Sequence, residues 1–478
     1  MHEYKKNSIL HYFYSYASQR IEKLRAEGKL RPRSRFMKWT PITITELQGF
    51  LAIVINMGII SVPAIENYWK TSWIAEVPFF SRVMPRDRFM LIFWMLHVSH
   101  STVSPPKRID KIKLFLELML TRFQANYAPQ RSLAIDETML RFRGRFAGKQ
   151  YMPKKPVKWG IKAFSLADSS IGYLLNILLY TGAETLDGTN YQFSTLPQPA
   201  RVVMHLLEPY LHQGHHLFTD RYYSSIPLAQ ALHDNETAFT GTCVRDRVDL
   251  PDIIRGGQTP GEGEVMAFRD DHLMALTWRA KKKKAPVVML STECSAQMVT
   301  VPSRHSGAAA QKKPIAVHTY NQNMNGVDIS DQYTATYPFT RKTIKWWRKV
   351  FFWLIDLCVT NSYAVYREME QDKIPHIAYR RSIVEALATR YLSSSPPRPR
   401  FGRPRKRSHP DTDPERLNGH LHLLGKRQQR DCVVCSSQSA SGNRHRSTYY
   451  CKTCPNNPSL CPDECFERYH TLHNYKLY

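Results

Sequence analysis

Leu133-Ala134-Ile135-Asp136 is a short apolar run that closes on a carboxylate, and it marks the point where the chain stops reading as helices and begins to read as strands. Lys158 to Leu166, Tyr173 to Tyr180 and His216-Leu217-Phe218-Thr219-Asp220 have the same character: brief apolar or alternating runs bounded by Gly, Asp, Ser and Pro. Asp168-Ser169-Ser170-Ile171-Gly172, between two of them, predicts a hairpin loop. Two of the runs end on an aspartate, Asp136 and Asp220, and a further acidic pair, Asp328 and Asp331, follows Asn325-Gly326 where helical periodicity returns. An α/β core with acids at its strand ends is the expectation from which the rest is read.

Upstream, residues 1–131 read as mostly helical, with segments expected at 8–27, 45–57, 85–97 and 109–128. Thr45 with Gln48 predicts a capping pair for the second, and Asp87 a cap for the third. The first part of the α/β core spans 132–240. A Gly-rich stretch, 241–314, reads as a β-rich insertion, the core closes at 315–337, and helices resume over 338–392. Residues 393–430 hold ten Lys or Arg against three acids among many prolines, a linker whose segment 398–407 suits nuclear import or phosphate contact. Residues 431–478 hold six of the nine cysteines.

With 67 Lys and Arg against 40 Asp and Glu, the chain carries a formal charge of +27, which points to a polyanionic partner. A hydrophobic share of 42% excludes a disordered basic protein. The longest apolar run, 50–60, is interrupted by Asn56 and Gly58 and falls short of the roughly 20 residues of a spanning helix, so no membrane role is expected.

Carboxylates that converge repel each other unless a cation sits among them. Two Mg²⁺ (or Mn²⁺) ions suit such a site: they take oxygen ligands, keep open positions for phosphate oxygens, and stabilise both sides of an in-line phosphodiester displacement. An aspartate at a strand end also serves as a turn or helix-cap residue, so the acids by themselves leave both readings open. The tail is more specific. Cys432-x₂-Cys435, Cys451-x₂-Cys454, Cys461-x₃-Cys465 and His470-x₂-His473 supply eight ligands, enough for two structural Zn²⁺ ions. A cross-brace is expected, first and third pairs on one ion and second and fourth on the other, with His420 or His422 as a replacement for one of the late histidines.

At these residues the sequence resembles the piggyBac transposase family. The matching text is Leu133 to Arg145 (LAIDETMLRFRGR), Tyr151 to Lys162 (YMPKKPVKWGIK), Thr219 to Leu228, Tyr320 to Gln332 and Arg341 to Trp346, in order along almost the whole chain. The resemblance implies an RNase H-like DDE/D catalytic core with an insertion, flanked by a helical dimerisation and DNA-binding domain that both sides of the core contribute. It implies Asp136, Asp220 and Asp328 as metal ligands with Asp331 beside them, cut-and-paste transposition at TTAA sites through hairpinned ends, a homodimer on terminal inverted repeats, and a zinc domain that binds transposon-end DNA. The acidic leader usual in the family does not precede the helical region, which raises the net charge and is expected of a shortened isoform or gene model.

Clusters beside the acids, Arg141, Arg143, Arg145, Lys155 and Lys158 near the first and Arg341, Lys342 and Lys345 near the last, suit phosphate contact. Trp346 suits stacking on an unpaired base, with Trp347 turned inward. The resulting expectation is a nuclear, metal-dependent DNA transposase. Two rivals stand beside it: a domesticated copy that binds terminal repeats without catalysis, and a chromatin-interaction protein that uses its zinc module on another protein.

Overall fold

The structure, a computed structural model, describes residues 9–31, 34–99, 107–153, 155–186, 191–302, 310–339, 343–394, 414–417, 421–436 and 444–476. The chain divides into two compact units, Met1–Ser395 and Pro396–Tyr478.

The larger unit begins with α1 (Ile9–Ala26), α2 (Ile44–Ile59), α3 (Pro78–Val83), α4 (Arg86–Met95) and α5 (Lys113–Asn126). The caps differ from those expected. Thr43, not Thr45, accepts the Glu46 N–H at 3.1 Å, because α2 begins one residue earlier than its apolar run suggests. Pro85 precedes α4, and the Asp87 carboxylate faces Arg86 and Arg35 instead of a backbone amide.

One nine-stranded sheet follows: β1 (Ser132–Arg141), β2 (Lys149–Tyr151), β3 (Trp159–Asp168), β4 (Leu174–Leu179), β5 (His216–Thr219), β6 (Ala238–Cys243), β7 (Val265–Asp270), β8 (Leu273–Trp278) and β9 (Val287–Ser291). Its order is β2-β3-β1-β5-β6-β9-β8-β7, with β4 also on β3; β1, β5 and β6 are mutually parallel and every other pairing is antiparallel. Near-continuous burial along β1, β3 and β4 is what a strand covered on both faces requires. The parallel connections carry α6 (Gln198–Leu207) and α7 (Ile226–Asp234), which lie against β3, β4, β6 and β9.

Residues 241–314 send β7, β8 and β9 into this sheet beyond β6, include the one-turn α8 (Asp252–Arg255), and form a separate two-stranded sheet, β10 (Met298–Val301) with β11 (Gln311–Pro314). The chain then returns through α9 (Ile315–Asn323) and α10 (Gly326–Thr336), which packs on β1 and β3, to α11 (Trp346–Met369) and α12 (His376–Ser394). Helix α12 lies along α2, so the first and last helical stretches join in one layer whose apolar side chains are continuous with those beneath the sheet.

The smaller unit contains β12 (Leu424–Asp431) paired with β13 (Arg446–Cys451), and α13 (Glu464–Thr471). Its buried cluster is mostly Cys432, Cys451, Cys454, Cys465, Val434, Leu460, Tyr469 and Tyr475. No helix among the described residues is long and apolar enough to cross a membrane.

Candidate functional site

The site begins with a register. Parallel strands β1 and β5 pair Ile135 with Thr219, so Asp136 and Asp220 are the next residues on neighbouring strands; Asp220 lies just past the end of β5, but Asp136 does not end its strand, because β1 stays paired with β3 as far as Arg141. Asp220 leaves its strand in a tight turn: its carboxylate accepts the Tyr222 N–H at 2.9 Å, and its carbonyl accepts the Tyr223 and Ser224 amides at 3.2 Å each. The third acid arrives from far along the chain, and two glycines permit it. A Cβ on Gly326 would stand 2.7 Å from the Asp168 carbonyl oxygen, and one on Gly172 (φ +70°) would stand 2.6 Å from Ile329. The start of α10 therefore rests on the 168–172 hairpin turn, with Asp328 in its first turn and Asp331 one turn further. Asp168 locks that turn from within, its buried carboxylate accepting amides from Gln130 and Ser170 at 2.7 and 2.8 Å.

Asp331 accepts a hydrogen bond from Thr138 of β1 at 2.9 Å, and Ser165 of β3 donates to Thr138 at 3.1 Å, so helix and sheet share one polar seam. A lysine occupies the centre. Lys155 Nζ lies 2.6 Å from Asp136 Oδ2, with both side chains largely covered. Burial pushes this ammonium down, but Asp136, followed by Asp328 and Glu137, outweighs burial and holds its pKa above the ordinary lysine value. The acids respond to each other in turn. Burial, then the neighbouring Asp136 charge, raises Asp328. Burial raises Asp220 against the amide of Tyr222 that lowers it. Burial pushes Asp331 up to about 7, with Thr138 and Lys155 opposing and Asp136 and Asp328 adding. Glu137, buried beside them, is held by Lys162 at 3.2 Å and by the Tyr223 hydroxyl at 3.0 Å.

Arg141, Arg143, Arg145 and Lys158 are exposed, while Lys155 is turned onto the acids. Arg341 and Lys342 lie outside the described residues, as do the basic segment 398–407 and His420. Lys345 is half-buried beside Tyr16, and burial lowers its pKa. Trp346 departs from its expected role. It is 8% exposed and its indole stacks on Phe146 at 4.6 Å, because it opens α11 on the face that packs inward. Trp347 is buried as expected, edge-on to His97.

In the smaller unit the ligand pairs interleave. Cys432, Cys435, Cys461 and Cys465 form one cluster, and His422, Cys451, Cys454 and His470 the other, each with its ligand atoms within 4.8 Å of one another. The cross-brace is as expected, but its eighth member is His422. His473 is exposed, and its carbonyl accepts from Arg416 at 2.9 Å. The chemistry of both sets fits zinc. Four thiols at tetrahedral Zn–S distance stand about 3.8 Å apart, and Cys435 and Cys461 sulfurs are 3.7 Å apart. His470 Nδ1 bonds the Phe466 carbonyl at 2.7 Å, which fixes the ring and leaves Nε2 toward Cys454 at 3.3 Å, free to take a metal.

Two roles had no signal in the sequence. Arg416 is buried, donates to the Tyr469 and Leu472 carbonyls at 2.6 and 2.7 Å, and so closes the C-terminus of α13; in the sequence it stands among linker arginines. Lys155 reads as one lysine in a basic run, and only the folded loop shows that it faces Asp136.

A family model described as Transposase IS4 matches residues 7–363, and one described as DDE_Tnp_1-like zinc finger matches residues 417–471. Human PiggyBac transposable element-derived protein 3 is 24% identical over 451 residues, covering 90% of this chain and 70% of its own length. Human PiggyBac transposable element-derived protein 2 is 25% identical over 417 residues, covering 83% and 67%. Among solved structures, a piggyBac transposase synaptic complex with hairpin DNA has the same fold at a TM-score of 0.68 and 23% identity, covering 82% of this chain and 80% of that one. Matched from residue 7 to residue 363 by the transposase model, and along most of its length by piggyBac-derived relatives, the chain belongs to the piggyBac transposase family.

Proposed function

We propose that the protein is a DNA transposase of piggyBac type that cleaves and transfers DNA strands at TTAA sites through hairpinned ends. The observation that carries this reading is the gathering of Asp136, Asp220, Asp328 and Asp331 around one lysine, from the middle of β1, the end of the parallel strand β5 and one helix. The sequence β4-β3-β1-β5-β6, three antiparallel strands and then two parallel ones, supports an RNase H-like core.

The donor set is all oxygen and already faces a cation, which suits Mg²⁺ or Mn²⁺. Asp136, Asp220 and Asp328 would hold the ions, which when bound neutralise the carboxylates and activate the attacking oxygen of a phosphodiester displacement. The chain's own groups do the rest. Asp331, buried near Asp136 and Asp328, is placed by Thr138 to hold or release a proton near neutral pH. Lys155 balances Asp136 while DNA is absent, and its long stem lets the ammonium turn toward a phosphate oxygen. Exposed Arg141, Arg143, Arg145 and Lys158, with Arg341, Lys342 and Lys345, would fix the phosphates in register.

In the tail, Cys432, Cys435, Cys461 and Cys465 would hold one Zn²⁺ and His422, Cys451, Cys454 and His470 the other, in a module that binds transposon ends through its arginines. The solved relative in a synaptic complex with DNA supports a homodimer on terminal inverted repeats, and the basic segment 398–407 supports a nuclear location.

An excision assay on matched transposon ends tests the reading: the intact protein should release the element and Asp136→Ala should not, and equal background from both would refute it. The names of the human relatives, derived from transposable elements, favour a second reading of repeat binding without catalysis. It predicts equal gel shifts and no excision from either protein.

A further inference from the structure

Trp346 is packed away, yet the sheet face that carries Asp136 does present an aromatic surface. Tyr151 and Trp159 are a directly opposed pair at the base of the β2–β3 hairpin. Their rings lie 4.7 Å apart and tilted by 36°, and they are 50% and 51% exposed. Such a cross-strand pair normally fills a core or covers a neighbour; this one faces solvent. Lys149 lies two residues from Tyr151 on the same face, with Nζ 5.5 Å from the Trp159 ring.

The pleat fixes which face this is. Asp136 is opposite Ser165 in the β1–β3 register, and Trp159 is six residues from Ser165 on β3, an even number, so it stands on the side of Asp136. Strand rise puts it about 20 Å from the aspartate, on the order of six steps along a DNA strand. The loop between Tyr151 and Trp159 turns back along that face and places Lys155 on Asp136, which makes the aromatic pair and the acids two ends of one hairpin. The cation on this face is Lys149; exposed Arg141, five residues from Asp136 and opposite Gly160, and exposed Lys158, next to Trp159, alternate toward the other side of the hairpin.

We infer that Tyr151 and Trp159 form a stacking platform for an unpaired nucleobase of the DNA being processed, with Lys149 beside the rings to hold a flanking phosphate. This rests on the proposed reading of the protein as a DNA-processing enzyme and adds a base-binding site to it. Flat rings with a cation beside them accept any base, so the platform recognises an unpaired strand, not a sequence.

The test uses the full chain and two fluorescent oligonucleotides of one sequence. One is fully paired, and the other carries four unpaired nucleotides including 2-aminopurine. Trp159→Ala should weaken binding of the unpaired probe by about 5- to 100-fold, the range of one lost base–aromatic stack. It should leave the paired duplex within twofold and abolish quenching of the 2-aminopurine. Trp159→Phe, which keeps a ring, should restore most of both. Equal weakening of both probes, or no change in either, overturns the inference while the proposed function stands. So does a shift from dimer to monomer in light scattering with unpaired-probe affinity unchanged, since the pair would then cover a second copy of the chain. Failure of the intact protein to bind either probe overturns the proposed function, and the platform with it.

Discussion

Arg380 is completely buried, and its Nη2 donates to Asp356 Oδ1 at 2.8 Å and to the Tyr337 carbonyl at 3.1 Å. Asp356 in turn accepts the Phe339 N–H at 3.1 Å, so one ion pair fixes the backbone just past the end of α10. Replacing Arg380 by Met keeps the stem and deletes the charge. Burial already pushes the Asp356 carboxyl up to about 6 against the pull of Arg380 and the Phe339 amide. Moving from 3.8 to about 6 makes ionisation cost about 3 kcal/mol of folding stability at neutral pH, and without Arg380 the cost grows. A carboxyl raised in the folded state contributes stability that is fully present below pH 3.8 and is lost as pH rises through about 6. Arg380→Met should therefore lose about 3–5 kcal/mol at pH 7.5 and distinctly less at pH 5, where Asp356 takes up a proton. The double variant Asp356→Leu/Arg380→Met should regain part of that loss, since no buried charge is left uncompensated while the Phe339 amide and the Tyr337 carbonyl each lose a partner. Urea unfolding followed by tryptophan fluorescence measures this in the larger unit alone, because all nine tryptophans lie between Trp39 and Trp353. A loss under about 1 kcal/mol at pH 7.5, or equal losses at both pH values, would refute the argument, since an uncompensated buried charge costs more than that.

Two further outcomes follow from the sites. His422→Ala should lower the zinc content of the purified protein by one ion or more per chain, whereas His473→Ala should leave it at two; elemental analysis that ranks them the other way would restore His473 as the ligand. Thr138→Val deletes a hydrogen bond that favours the ionised form of Asp331, so its carboxyl should be pushed further up. The acidic limb of the pH profile for excision should then move to higher pH with the plateau retained, and an unmoved limb would show that Asp331 does not set it.

The strands around Asp136 and Asp220 were legible because short apolar runs translate directly into paired strands, although β1 continues past Asp136 to Arg141, and the interleaving of the Cys and His pairs was legible because short spacings leave few wirings. Helices α6 and α7 were not, since each is short and carries a proline near its start, at Pro199 and Pro227, where the residue that permits a helix also reads as a breaker. The cap of α2 is not legible because Thr43 and Thr45 offer the same hydroxyl, and only the backbone turn distinguishes them. Trp346 and Trp347 are adjacent and equally aromatic, yet both are buried; which faces a helix covers depends on partners such as Phe146 that are distant in sequence. Lys155 and the Tyr151–Trp159 pair have no periodic signature, because their meaning comes from a loop that folds back over the sheet.

The order in which the acids occur along the chain has a consequence for synthesis. Asp136 and Asp220 are brought level by β1 and β5 alone, so half of the site can form once the ribosome has released the first strands of the sheet. Asp328 and Asp331 emerge only after the whole segment 241–314, three of whose strands have by then lengthened the opposite edge of the sheet. Until α10 docks against the Asp168 turn, a nascent chain would hold its exposed basic residues without the complete cluster of acids, and a chain truncated anywhere before residue 326 would keep the basic surface and lack half of the proposed site.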